Sequence, residues 1–259
     1  MNGAPSFRSG RTGKTWWMVN RDFESPLEDL GLNQPRTLEA WIEYGGEATE
    51  ATTGRGRTRI LSLPGREEDL ILRRTLHGGL LGPLWRGHLG SFKRIQQELE
   101  VTSRLHGAGV AVPCPVLGIA IASGPLWRAS IATVHIPETW TALDLLSEAK
   151  GDAERLHRMA WAVGETLGQF HGCGGRHADL HAGNILVREE EGQTRAWVID
   201  LDKAKFHEAG GTRRPTELKR LAHSLEKRKQ LALIDRKIRD QFLEAYEAGL
   251  QAGMDRSQR

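Results

Sequence analysis

Beyond about residue 40, hydrophobic and polar positions alternate in short runs. E-A-T-E-A-T-T before Gly54, T-R-I-L-S-L after Gly56 and L-I-L-R at 70–73 are β-type runs, separated by G-R-G and by the turn P-G-R-E-E-D. Together they predict a three-strand meander. The period then becomes helical: Phe92, Ile95, Leu99, Thr102 and Leu105 recur on one face, with Ser91 placed to cap the N-terminus. From Gly107 to Trp127, 21 residues carry no acidic or basic side chain, long enough to cross a bilayer as a helix. Pro113, Pro115, Gly118, Gly124 and Pro125 interrupt that stretch, so V-L-G-I-A-I-A-S-G-P reads as a buried strand ending in a turn. R-A-S-I-A-T-V-H-I reads as another strand, broken by Pro137 and Glu138, and Thr141 with Asp144 opens a capped helix. A longer helix over 152–169 sets Leu156, Ala160, Val163 and Leu167 on one face and stops at Gly172.

Strands crowded into the first half and helices into the second predict an α+β chain. With 259 residues, 39% of them hydrophobic, the chain can bury a sizeable core in two joined lobes. Residues 1–40 read as a partly flexible N-terminal extension, 41–136 as a β-rich N-lobe and 137–259 as a mainly helical C-lobe, with Val134 to Glu138 as the hinge. G-R-T-G-K-T at Gly10–Thr15 has a P-loop look, but Arg8 stands where the first glycine of that motif must be, and the stretch reads as a flexible basic tail. Trp16, Trp17 and Trp41 read as packing aromatics. Cys114 and Cys173 are too few for a disulfide framework, which fits a reducing compartment, and no apolar segment follows the basic N-terminus as a secretory signal would.

The candidate chemistry lies in His177–Asn184, H-A-D-L-H-A-G-N, followed by I-L-V and, sixteen residues past Asn184, by Asp200 in V-I-D-L-D. An aspartate on a loop, an asparagine five residues on and an aspartate closing a strand suit phosphoryl transfer of kinase type. In that reading Asp179 orients the attacking hydroxyl, while Asn184 and Asp200 hold Mg2+ against the phosphates of ATP. Gly54 and Gly56 would let backbone N–H groups approach those phosphates, and Arg73 at the end of L-I-L-R would bring a cation, with Glu98 as its partner and Glu100 as the fallback. His171, Cys173 and His177 crowd within seven residues, without a fourth ligand at finger spacing. His177 fits better as a brace for the loop and His171 as a helix-end residue. The fold expected is therefore bilobal and protein-kinase-like, with a shortened C-lobe.

Charge narrows the acceptor. Net charge is +3 with a pI near 9.0, concentrated in two regions. From Leu72 to Ile95 there are five Lys or Arg and no acid, and from Arg213 to Arg239 ten Lys or Arg against three acids. Neither region has the aromatic interleaving of nucleic-acid recognition. Only 57 residues (203–259) follow Asp202, without A-P-E, and His181 stands two after Asp179 where protein kinases carry Lys. A polypeptide acceptor is disfavoured. Basic residues among leucines suit an anionic amphiphile at a membrane surface.

G-R-G, L-I-L-R-R-T-L-H-G-G-L, A-V-P-C-P-V and E-L-K-R-L-A-H-S-L-E-K, added to the loops, resemble the lipopolysaccharide core kinases, most closely those acting on 3-deoxy-D-manno-octulosonic acid (Kdo), from about Gly45 to Lys229. The resemblance implies transfer of the ATP γ-phosphate to a Kdo hydroxyl on a lipid A precursor, by a peripheral protein at the cytoplasmic face of the inner membrane. It also implies Arg in place of the usual Lys at 73. His181 and Leu201 depart from the Asn and Phe expected there. A heptose kinase of the same pathway, an aminoglycoside-type phosphotransferase and an ATP-binding pseudokinase scaffold share parts of this pattern. The basic regions argue against a cationic drug as acceptor, and the intact Asp179, Asn184 and Asp200 argue against a scaffold.

Overall fold

The computed structural model describes residues 5–34, 36–38, 40, 58–63, 65–75, 88–206 and 214–257. Its chain divides into two compact units, residues 1–103 with 114–135, and residues 104–113 with 136–259.

In the first unit, strands β1 (Phe7–Thr12), β2 (Thr15–Asn20), β3 (Thr58–Ser62), β4 (Asp69–Thr75), β5 (Pro115–Ser123) and β6 (Leu126–Val134) form one sheet in the order β1-β2-β5-β6-β4-β3. Every pairing is antiparallel. The period-2 alternation of T-W-W-M-V-N sends Trp16 and Met18 to one face and Trp17 and Val19 to the other, and each face is packed. On one, Val19, Leu61, Leu70, Leu72 and Leu117 meet Phe23 and Leu27 of the turn and short helix α1 (Glu24–Asp29). On the other, Trp16, Met18, Ala129 and Ile131 meet Ile95 and Leu99 of helix α2 (Lys93–Gly107). The Ser91 hydroxyl accepts from Lys93 N–H at 3.2 Å at the start of α2. Gly118 permits that packing, because a Cβ there would run into Leu99 and Ile95.

The basic tail expected over the first residues is instead part of this sheet. Thr12 faces Thr15 across a turn with Gly13 at φ 58°, so G-R-T-G-K-T is a hairpin turn. The apolar alternation of residues 15–19 outweighs the polar β1, whose side chains are mostly exposed. The uncharged stretch forms β5, turns at Gly124 (φ 63°) and returns as β6. Among the described residues no helix is long and apolar enough to cross a membrane. Of the expected meander, β3 and β4 pair as read, and the run before Gly54 lies outside the described residues.

The second unit is mainly helical. Helix α3 (Ala142–Glu148) is capped by Thr141, whose hydroxyl accepts from Asp144 N–H at 3.1 Å. Asp152 caps α4 (Ala153–Gly172) in the same way at Arg155 N–H, 2.9 Å. Two further helices follow, α5 (Arg214–Lys227) and α6 (Arg236–Ser257). The tight contact is α4 on α6. A Cβ on Gly164, Gly168 or Gly172 would strike the backbone carbonyls of Phe242, Tyr246 and Leu250, and one on Gly249 or Gly253 those of Glu165 and Gln169. Absent side chains let the two backbones touch. Around these helices lie β7 (Trp140–Thr141), β9 (Ile185–Glu190) and β10 (Gln193–Val198) in one small sheet, and β8 (Gly175–Arg176) paired with β11 (Lys205–Phe206) in another.

Candidate active site

The β9–β10 hairpin closes the sixteen-residue gap between Asn184 and Asp200. It turns at Gly192 (φ 74°) and pairs Ile185 with Val198. One step further along the ladder, Ile199 N–H donates to the Asn184 carbonyl at 3.0 Å, which sets Asp200 beside Asn184. Asp200 is exposed and sits at φ 59°, a left-handed conformation costing a non-glycine residue about 1 kcal/mol or more. Asn184 is buried, and its Nδ2 donates to the Asp179 carbonyl at 3.0 Å. With the amide nitrogen committed there, Oδ1 is left as an oxygen donor. Asp179 itself is exposed. Asn184 Oδ1 and the Asp200 carboxylate are hard oxygen donors of the kind Mg2+ takes alongside phosphate and water, so the residues present fit that ion.

The loop carrying Asp179 has no ladder of its own, so side chains hold its backbone. His177 is buried; its Nε2–H donates to the Ile199 carbonyl at 3.1 Å, and its Nδ1 accepts from Asp179 N–H at 3.2 Å. A carbonyl only accepts and an amide N–H only donates, which sets the neutral tautomer. Burial lowers the His177 pKa against the opposing pull of the Ile199 carbonyl and of Asp200, Glu217 and Asp179. His181, where Asn was expected, caps the next turn: its Nδ1 accepts from Gly183 N–H at 3.1 Å.

Three residues that sequence reasoning did not single out complete the loop's support. Glu217 Oε2 accepts from His177 N–H and from His171 Nε2, both at 3.0 Å, and His171 Nδ1 meets the Tyr246 hydroxyl at 2.9 Å. Burial pushes the Glu217 carboxyl up, but the hydrogen bonds from His171 and His177 N–H, with Arg176 nearby, outweigh it and hold the pKa below the carboxylate range. Arg220 Nη1 donates to the carbonyls of Ala178 (2.6 Å) and His177 (3.3 Å). The one sequence signal for this role was the E-L-K-R-L run itself, in which Glu217 and Arg220 sit three apart and share a helix face. His171 lies in the last turn of α4, as expected, and is fully buried at the centre of a polar network, while Cys173 Sγ contacts the Gly253 carbonyl at 3.4 Å.

In the first unit, β4 carries Arg73 opposite Thr58 and Ile131, and Arg73 Nη2 pairs with Glu98 Oε1 on α2. Glu98 is 3% exposed, so its charge requires that cation. Glu100 accepts from Gln96 instead, at 2.8 Å. Gly54 and Gly56 lie outside the described residues. Back in the second unit, α3, α4, α5 and α6 line an open apolar pocket of about 410 Å³. Leu146, Met159, Leu221 and Phe242 wall it, with Ala182 and Ile185 from the segment that follows Asp179.

A sequence model described as the lipopolysaccharide kinase (Kdo/WaaP) family matches residues 39–246. Proteins named 3-deoxy-D-manno-octulosonic acid kinase are similar along most of their length. The one from Vibrio parahaemolyticus is 29% identical over 208 residues, 79% of this chain and 82% of that protein. The one from Photobacterium profundum is 32% identical over 187 residues, 70% of this chain and 75% of that protein. Among solved structures, WaaP in complex with acyl carrier protein aligns with a TM-score of 0.60 at 23% identity, over 93% of this chain and 96% of the other. That likeness establishes the mixed α+β, kinase-like fold. With its Asp179 loop, its Asn184–Asp200 hairpin and a family match covering most of its length, the chain belongs to the lipopolysaccharide kinase (Kdo/WaaP) family and is a phosphotransferase with a hydroxyl acceptor.

Proposed function

We propose that the chain transfers the γ-phosphate of ATP to a hydroxyl of Kdo on a lipid A precursor. The observation that carries this reading is the juxtaposition of Asn184 and Asp200 by the hairpin, with Asn184 bonded to the backbone of Asp179. In the reaction the acceptor oxygen attacks the γ-phosphorus, the bond from that phosphorus to the β-phosphate bridging oxygen breaks, and ADP leaves. Asp179 orients the acceptor hydroxyl and takes its proton. Asn184 Oδ1 and Asp200 would hold Mg2+, which supplies charge neutralisation for the phosphates. To Arg73, which pairs with Glu98, and to Gly54 and Gly56 we assign the role of holding the phosphates.

Kdo is favoured over other acceptors by the names of the relatives from Vibrio parahaemolyticus and Photobacterium profundum. An amphiphilic acceptor is favoured by the apolar pocket, which shares Ala182 and Ile185 with the catalytic segment and has the exposed cation Arg239 in its wall. Its volume lies within the range of about 300–1,000 Å³ usual for ligand sites. The test offers labelled ATP and magnesium with a Kdo-bearing lipid A precursor, a heptose-extended core, an aminoglycoside or a peptide. Label should enter the Kdo-bearing lipid, and Asp179→Ala should lower that rate by about 10²–10⁴-fold while ATP still binds. Label in the heptose-extended core alone would move the assignment to a heptose kinase. Near-parent turnover by Asp179→Ala would remove Asp179 from its role.

A further inference from the structure

The open apolar pocket has a buried floor and an exposed rim. Leu146 of α3, Met159 of α4, and Ala182 and Ile185 of the catalytic segment are buried, whereas its exposed lining residues, Ala222, Leu231, Arg239 and Leu243, all come from α5, α6 and the link between them. Four large apolar side chains are exposed among the described residues, and Leu231 (39%) and Leu243 (44%) are two of them. Cations surround this pair. Lys227, Arg228, Lys229, Arg236, Lys237 and Arg239 are all exposed, and between the first and the last of them stands one acid, Asp235. Its Oδ1 is engaged at the start of α6, accepting from Ile238 N–H at 2.8 Å. Of the acids just outside, Asp240 pairs with Arg236 at 3.6 Å, Glu226 lies 3.5 Å from His223 Nδ1, and Glu244 is exposed.

The link that presents Leu231 is fixed in place. Lys229 N–H donates to the Glu226 carbonyl and Gln230 N–H to the Leu225 carbonyl, both at 2.9 Å, and Gln230 Nε2 donates to the Leu143 carbonyl of α3 at 3.1 Å. This closure holds Lys229 at φ 58°, the left-handed position where a helix usually stops on glycine. A lysine strains the backbone there, so helix termination alone does not account for it. We propose that the rim is the face by which the protein lies on an anionic lipid layer, with Leu231 and Leu243 entering the headgroup region and the cations around them meeting lipid phosphates. Leucines ringed by Lys and Arg match such an interface twice over: apolar area reaches the acyl boundary while the charges stay at the headgroups. In that placement the pocket mouth opens onto the lipid, with the catalytic segment at its floor.

Docking of this kind needs neither nucleotide nor acceptor, so it is tested apart from the kinase reading. The full chain is sedimented with vesicles of phosphatidylethanolamine and phosphatidylglycerol, and with vesicles of phosphatidylcholine alone. It should bind the first and not the second, and less as salt rises. Leu231→Gln combined with Leu243→Gln should weaken binding by about tenfold, and Lys229→Gly by about fivefold. Lys229→Gly should also melt no lower than the parent, because glycine removes the strain, which separates lost docking from lost folding. Trp161→Ser, at an exposed position that does not line the pocket, should bind as the parent does. Parent-like binding by the folded double variant, equal binding to phosphatidylcholine, or an equal loss in Trp161→Ser would overturn the proposal. A dimer that the two leucine changes abolish, with no vesicle binding by the parent, would assign the rim to a second copy instead. Failure to phosphorylate any acceptor would bring down the kinase reading and leave the docking face standing.

Discussion

His177 shows how a residue two positions from Asp179 contributes by staying uncharged. Its Nδ1 can accept from Asp179 N–H only while unprotonated, and burial keeps it so by lowering its pKa from the ordinary 6.5. His106 and His135 are lowered by burial as well, His135 against an opposing pull from Asp69. For such a group the unfolded chain binds the proton more readily, so its contribution to stability is present above the unfolded pKa and is lost as pH falls through the window between 6.5 and the lower folded value. Thermal melts should therefore show a melting temperature that drops from pH 7.5 toward pH 5.5, with part of the drop absent in His177→Gln. A melting temperature that rises on acidification would contradict the burial account. The meeting of Asn184 with Asp200 and with the Asp179 backbone was legible in the sequence because the spacing is local and the hairpin is short. Glu217 was not, because a glutamate in a basic helix reads as solvated until the face that packs inward is known. Its partner His177 N–H lies 40 residues earlier in the chain.

Among the elements, α2 and α4 could be read from their apolar period: Ile95, Leu99, Leu156 and Val163 are buried as expected, while Phe92 lies just ahead of α2 and is half-buried. The first two strands were missed because the arginines of β1 drew more weight than the alternation of β2. The contact of α4 with α6 also left a signal, glycines four apart at 164, 168 and 172 and again at 249 and 253. It makes a sharp prediction at Gly168. Helix propensity alone favours Ala over Gly by about 1 kcal/mol. Here the added methyl would press on the Tyr246 carbonyl, with Leu250 N at 2.7 Å and Gly249 C at 3.0 Å, all backbone atoms that cannot rotate away. Overpacking of that kind costs about 1–3 kcal/mol or more, so the clash wins. Gly168→Ala should lower the urea midpoint, and because Tyr246 rides on the displaced helix, it should also loosen the bond to His171 that supports Glu217. A higher midpoint would mean that the helices part without cost.

At the scale of the molecule, the proposed glycolipid acceptor joins two features the sequence presents separately, the kinase loops and the excess of positive charge. Lys227, Arg228, Lys229 and Lys237 are all exposed, around the link between α5 and α6. Cations near an anionic membrane contribute about 1 kcal/mol each, and salt screens them within a Debye length of about 10 Å at 0.1 M. Changing these four to Gln should weaken binding to phosphatidylglycerol vesicles and flatten its salt dependence, and unchanged binding would rule out a membrane role for this cluster. In the proposed reaction Asp179 serves a Kdo hydroxyl. The most direct measurement is to incubate the parent protein with ATP, magnesium and a Kdo-bearing lipid A precursor, then locate the added phosphate by mass spectrometry and ³¹P NMR. A new phosphomonoester should appear on Kdo and be absent with Asp179→Ala. Phosphate on the glucosamine backbone, or an equal yield from Asp179→Ala, would contradict it.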